Sequence, residues 1–297
     1  MNDVAAIRIG TASVNWGFHP LYDWTVKPTI DDLLDEMVAS GYEATEISYH
    51  FPTDVEQLRR ALARRHLRAA STFHAVNLLD PARHDDEIAR TIPVAERLKA
   101  LGSDVLILPD QEWPHRIKVA GRVAPDGSDG LDERTWQALA TGLNRIGEML
   151  RERGMRAVYH PHVATYVETR AEVDRLCALT DPALLGLCPD TGHLAYGGAD
   201  PEAVFVDYAP RIWYVHLKDI DASRLEQVRA QRLDFVSAVK MGTFVPLGRG
   251  MVDMDRIFGA LQAANYDGWV IVEQDAPVDP MAAAIESRAF LRERFGL

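Results

Sequence analysis

Short β-branched or apolar runs recur along the chain, with longer amphipathic stretches between them. The runs Ile7–Thr11, Ala44–Ser48, Leu67–Phe73, Asp104–Leu108, Arg156–His160, Leu184–Asp190, Ile212–Leu217 and Trp269–Glu273 have the length of strands. Each is followed by a helical pattern of apolar positions, so the chain reads as eight βα units in alternation. That pattern predicts an α/β fold closed as a (β/α)8 TIM barrel. An open doubly wound sheet is the competing arrangement, but it seldom needs eight such units. The first run here also leads into TASVNWGFHP, which is no G-x-G-x-x-G dinucleotide turn.

Helix-end signals support the count. Thr53 with Glu56 and Thr169 with Glu172 have capping-box spacing, while Asp200-Pro201 and Asp279-Pro280 set an acceptor before a proline at the first helical position. Gly41, Gly102 and Gly154 stand between helical segments and strands, where a C-terminal cap needs positive φ. No linker or low-complexity segment interrupts the series, so residues 1–297 are expected to form one domain. Two connections are long, 109–130 after the fourth strand and 219–252 after the seventh, and loops of such length serve as lids or binding loops. The Lys240–Gly250 part of the second lacks the phosphate-loop pattern and reads as a mobile lid.

Lys and Arg total 32 against 44 Asp and Glu, a net charge of −12 that disfavours nucleic acid as a partner. Cys177 and Cys188 cannot make a disulfide framework, which fits a reducing, cytoplasmic setting. The start, MNDVAAIRIG, lacks the pattern of a signal peptide, and no run of ~18 apolar residues occurs. A soluble protein without a membrane anchor is expected.

In a barrel of this kind the chemistry sits at the C-terminal ends of the strands. Strand five ends in Tyr159-His160-Pro161-His162, strand six in Asp190-Thr191-Gly192-His193, strand seven in His216-Leu217-Lys218-Asp219 and strand eight in Glu273-Gln274-Asp275. Side chains alternate along a strand, so His160 and His162 share a face, as do His216 and Lys218. Any one of these residues alone reads as a satisfied polar group at a strand end. Four consecutive strand ends so equipped read as a divalent metal site, because imidazole with carboxylate suits Mn²⁺, Co²⁺ or Zn²⁺ better than Ca²⁺. The candidate ligands are Asp190, His216 and Glu273, with His160 as fourth; a second reading has His160 orient another ligand through its other ring nitrogen.

Lys218, near a cation and away from water, is expected to have a destabilised ammonium and to carry protons, the alternative being a salt bridge to Asp219 or Asp275. His162 and His193 are the other acid and base candidates. Glu46 on strand two and Glu112 in the first long loop are candidate substrate contacts. Trp16 and Trp24 offer an apolar wall for a sugar-like ring or, equally, core packing.

At these residues the chain resembles the xylose-isomerase-like metal-dependent barrels, a superfamily of sugar isomerases, epimerases and endonuclease IV. The resembling stretches are Gly142–Glu148, Tyr159–His162, Asp190–His193, His216–Asp219, Phe244–Gly250 and Gly268–Asp275, spanning most of the C-terminal half. DTGH and HLKD are moderately specific for the superfamily, and their combination with YHPH points to its inosose dehydratase branch. The superfamily usually holds its metal by Glu, Asp, His and Glu, which the resemblance carries onto His160, Asp190, His216 and Glu273; His160 departs from the pattern by replacing Glu.

The resemblance implies a hydro-lyase acting on a cyclic keto-polyol, 2-keto-myo-inositol, by metal-assisted enolisation and loss of a β-hydroxyl. Mn²⁺ or Co²⁺ are the ions expected, with Zn²⁺ or Mg²⁺ also compatible. An isomerase or epimerase would share the enediolate step and return the proton elsewhere. A nuclease reading is opposed by the charge of −12, and a non-catalytic sugar-binding barrel would have little use for convergent titratable groups. A homo-oligomer is the default among assemblies.

Overall fold

The computed structural model describes residues 7–297, and the eight runs are eight strands in it. They are β1 (Arg8–Thr11), β2 (Ala44–Ile47), β3 (Arg68–Thr72), β4 (Val105–Leu108), β5 (Arg156–Tyr159), β6 (Leu185–Leu187), β7 (Val215–Leu217) and β8 (Trp269–Val272). All neighbouring pairs are parallel. One ladder runs β3-β2-β1-β8-β7 and a second runs β4-β5-β6. Isolated bridges join them, Phe73 to Ile107 and Val76 to Asp110 on one side, Leu187 to Ile212 and Asp190 to His216 on the other, and so close the barrel.

Parallel strands that return through helices are buried on both faces, so each residue along them belongs to one of two apolar layers. Val105, Ile107, Val158, Cys188, Tyr214, Trp269 and Ile271 pack with Ala12, Ala44 and Ala70 inside the barrel. The residues between them, such as Leu106, Tyr159, Val215, Val270 and Val272, join the larger layer under the helices. Carrying the alternation past Val158, Tyr214 and Ile271 turns His160, His216, Lys218 and Glu273 inward, and past Ala44 it turns Glu46 the same way.

The helix ends follow the polar punctuation. Thr169 and Glu172 form both halves of a capping box, and Asp200 and Asp279 accept from Glu202 N and Ala282 N ahead of prolines. Gly41, Gly102 and Gly154 take φ of +88°, +90° and +68°. The Thr53 cap is corrected by one residue: Asp54 caps Val55–Ala63, accepting from Gln57 N at 2.8 Å. A carboxylate is favoured there because it also complements the helix dipole.

The two long connections are folded. In 109–130 a helix, Pro114–Val119, buries Arg116, whose guanidinium donates to both carboxylate oxygens of Glu172 at 2.8 and 3.0 Å. In 219–252, Asp219–Ile220 pairs antiparallel with Phe244–Val245 around helices Ala222–Gln231 and Phe235–Lys240. The segment read as a lid therefore has regular structure of its own. Asp219 accepts from the amides of Gly248, Gly250, Val252 and Ile220 at 2.9–3.1 Å, fastening the segment to the end of β7. Gly250 is required at this contact, since a Cβ there would lie 2.2 Å from Asp219 Oδ1. Among the described residues, no helix is long and apolar enough to cross a membrane.

Candidate active site

A cavity of about 490 Å³ opens at the C-terminal ends of the strands. His160, His162, Lys218, Glu273, Glu46 and Glu112 line it, so six of the residues singled out from sequence converge there. Asp190 and His216 are fully buried beside this set. His216 is the hub: its Nε2 donates to Glu46 Oε1 at 2.8 Å, and its Nδ1 lies 3.2 Å from Glu273 Oε2 and 3.9 Å from Asp190 Oδ2.

Asp190 divides its two oxygens. Oδ1 accepts from His193 N at 2.9 Å and caps the helix Thr191–Tyr196, while Oδ2 is buried without a hydrogen-bond partner. His216 Nδ1 is likewise buried and unpartnered. Asp190 Oδ2 and Glu273 Oε2 thus both face His216 Nδ1 with donor types that suit a transition-metal cation, while the tighter sets of potential ligands are Glu46 with His216 and Glu273, His160 with Cys188 and His216, and His160 with His162 and His193. Burial raises the Asp190 carboxyl. For Glu273 burial acts the same way, but His216 and Lys218 outweigh it and hold that carboxyl below the usual range.

His160 donates from Nδ1 to Cys188 O at 2.9 Å, and its ring lies 4.7 Å from that of His216. Its second nitrogen is left to face the cluster, the arrangement seen where a carbonyl orients a metal-binding imidazole. His162 donates from Nδ1 to Val163 O at 2.5 Å, and burial followed by the charge of Lys218 lowers it to about 3, so Nε2 stays an acceptor. Lys218 donates to Asp275 Oδ1 at 2.9 Å and to His193 Nε2 at 3.0 Å, and lies 3.4 Å from Glu273 Oε2.

These contacts bear on three of the candidates. At Lys218 the salt-bridge alternative is the one found, with Asp275: burial opposes the ammonium, but Asp275, Asp190 and Glu273 raise it above the usual lysine value. His193 does not line the cavity; its ring lies 3.8 Å from that of His162, tilted by 41°, and its Nε2 accepts from Lys218, so it packs against both. Trp16 is no cavity wall. The short helix Ser13–Trp16 turns the indole into the core, where its N–H donates to Glu36 at 2.6 Å.

The structure adds residues that sequence reading did not single out as site residues. His19, Tyr22, Phe73, Asp110 and Asp275 line the same cavity. Asp110 and Phe73 stand just past β4 and β3, where the strand-end rule that found the histidines applies equally. Glu112 is pushed up to about 7 by burial, with Asp275 adding and Lys218 opposing, and its Oε1 is buried without a partner. His19 Nε2 lies 3.8 Å from that oxygen.

The family model described as xylose isomerase-like TIM barrel matches residues 34–294. The chain is 32% identical over 299 residues to the inosose dehydratase of Clostridium beijerinckii, covering 100% of both, and 35% identical over 288 residues to that of Lacticaseibacillus casei, covering 96% of both. Among solved structures, the probable 3-DHS dehydratase of petrobactin synthesis from Bacillus anthracis superposes with a TM-score of 0.74 at 16% identity, over 97% of this chain and 99% of that one.

Proposed function

Because the chain belongs to the inosose dehydratase family of xylose isomerase-like TIM barrels, we propose that it is a metal-dependent hydro-lyase removing water from 2-keto-myo-inositol. The main support in the molecule is that two unpartnered donors, Asp190 Oδ2 and His216 Nδ1, lie buried beside a cavity lined by proton-carrying groups. The lining carries Glu46, Asp110, Glu112, Glu273 and Asp275 against the single ammonium of Lys218, and no arginine among the described residues. Such a wall suits an uncharged hydroxylated ring and repels a phosphate.

Asp190, His216 and Glu273, with His160 as fourth, would hold the cation, Mn²⁺ or Co²⁺ in this reading. A divalent cation supplies Lewis acidity, drawing charge onto a carbonyl oxygen and acidifying the neighbouring C–H. Glu46 fixes the ring of His216 through the 2.8 Å bond to Nε2, which aims Nδ1 at the cluster. His162 Nε2 accepts the α-proton, and the charge it gains is matched by the enolate that forms. Lys218 keeps an ammonium beside that enolate, held in place by Asp275 and His193. The same reading places the enzyme in the cytoplasm, where the unpaired Cys177 and Cys188 stay reduced, as a homo-oligomer.

The test is to strip the protein with a chelator, restore Mn²⁺ or Co²⁺, add 2-keto-myo-inositol and follow product mass and absorbance. Loss of one water, only with metal, is the expected result. An unchanged mass with a new isomer would assign an epimerase or isomerase, and no reaction would refute the substrate.

A further inference from the structure

A dehydration needs two proton transfers, one from the α-carbon and one to the departing oxygen, and His162 accounts for the first. Strands β4 and β8 are four apart in an eight-stranded ring, so the loop after β4 stands across the mouth from Glu273 and Asp275. Glu112 is carried on that loop, whose flanks are pinned. Asp110 accepts from the Trp113 indole at 2.8 Å and from Gln111 N at 2.9 Å, and Trp113 N donates to Ala164 O at 3.0 Å. Between these anchors the Glu112 side chain lines the cavity with Oε1 buried and unpartnered. The nearest basic atom, His19 Nε2, is 3.8 Å away, beyond hydrogen-bond range. His19 Nδ1 accepts from Leu21 N at 3.2 Å, so the neutral ring carries its proton on the nitrogen that faces Glu112.

Resting on the dehydratase reading above, we propose that Glu112 is the catalytic acid that protonates the leaving β-hydroxyl. In the first step the α C–H bond breaks, its proton goes to His162 and its electron pair becomes the C=C of the enolate. In the second the carbonyl re-forms and the electron pair shifts to the α,β bond. As that bond forms the β C–O bond breaks, its electron pair leaving with the oxygen, which takes the Glu112 proton to depart as water. One proton is taken and one given, with no change of oxidation state overall, and solvent restores both groups. An acid must be protonated near working pH to serve. Burial with Asp275 holds Glu112 up to about 7 against the opposing charge of Lys218; His19 faces it from the β1 loop and Asp110 shares its own loop.

The two steps separate in deuterium oxide. Enolisation is read as deuterium incorporation at the α-carbon by NMR, and elimination as loss of water by mass. For Glu112→Gln, water loss is expected to fall about 10²–10⁴-fold while incorporation stays within about threefold of the parent. The parent is expected to lose rate above pH ~7 as Glu112 ionises, and that loss should vanish from the residual activity of the Gln variant. Equal loss of both steps in a variant with unchanged thermal midpoint, or unchanged water loss, would overturn the assignment. If Glu112→Gln lowers the midpoint, Glu112→Asp decides: it keeps an acid, so its water loss must exceed that of the Gln variant, and failure to do so refutes the role. A parent protein inert in both assays overturns the dehydratase reading itself.

Discussion

Replacing Asp219 measures how the 219–252 segment is held over the site. Its carboxylate accepts four amide protons, from Gly248, Gly250, Val252 and Ile220. Bonds to a charged acceptor contribute about 1.5–3 kcal/mol each, so the lower end gives about 6 kcal/mol gross. Burial raises the Asp219 carboxyl in spite of these amides, so part of that sum offsets desolvation. Discounting by half leaves about 3 kcal/mol lost in Asp219→Ala. With an unfolding entropy of about 2.1 cal/mol/K per residue over 297 residues, this lowers the midpoint by about 5 °C.

Asp219→Asn is the sharper variant. Its amide keeps one accepting oxygen and sets N–H groups against two backbone donors, so it should come within about 1 kcal/mol of Ala despite conserving shape. Calorimetry gives the midpoint, and hydrogen exchange should quicken at Gly248, Gly250 and Val252. Turnover should drop as well, because Phe244 of this segment covers the Lys218 ammonium at 5.1 Å. An Asn variant within 1 °C of the parent, with those three amides still protected, would refute the accounting.

Other perturbations separate the groups in the cluster. Asp190→Ala and Glu273→Ala should lose bound metal and turnover together, read by elemental analysis beside the dehydration assay; full occupancy in both would remove them from the ligand set. Lys218→Met should retain the metal and lower turnover about 10²-fold or more, and unchanged kinetics would exclude it from the mechanism. Glu46→Ala frees the ring of His216 and should weaken metal binding about 10–100-fold in a competition with a chelator. An unaltered affinity there would show that the 2.8 Å contact does not position the ligand.

The barrel was legible because each strand is a short apolar run flanked by capping residues, and both signals are local. The metal candidates were picked out for a related reason: they stand within the strands or up to three residues past them, where alternation indicates which side chains face inward. His19 and Tyr22 were missed because they reach the cavity from an irregular stretch after β1, whose path no periodicity specifies. The same stretch explains the error at Trp16, which sits in a turn whose indole finds Glu36 on a helix twenty residues later. Sequence pattern drew both His193 and Lys218 toward the strand ends, but which of them touches the cavity depends on packing between DTGH and HLKD.

The closure of the barrel has a mechanical consequence. Backbone pairing thins to isolated bridges at two junctions, β3 with β4 and β6 with β7. Asp190 follows β6, whereas His216 and Glu273 belong to β7 and the end of β8, so a shared cation would act as a rivet across the second seam. A ligand at 100 times its dissociation constant adds about 2.7 kcal/mol to stability. Here that gain should be unevenly spread, slowing hydrogen exchange along β6 and β7 while the unriveted β3–β4 seam remains the place where the wall first parts on heating.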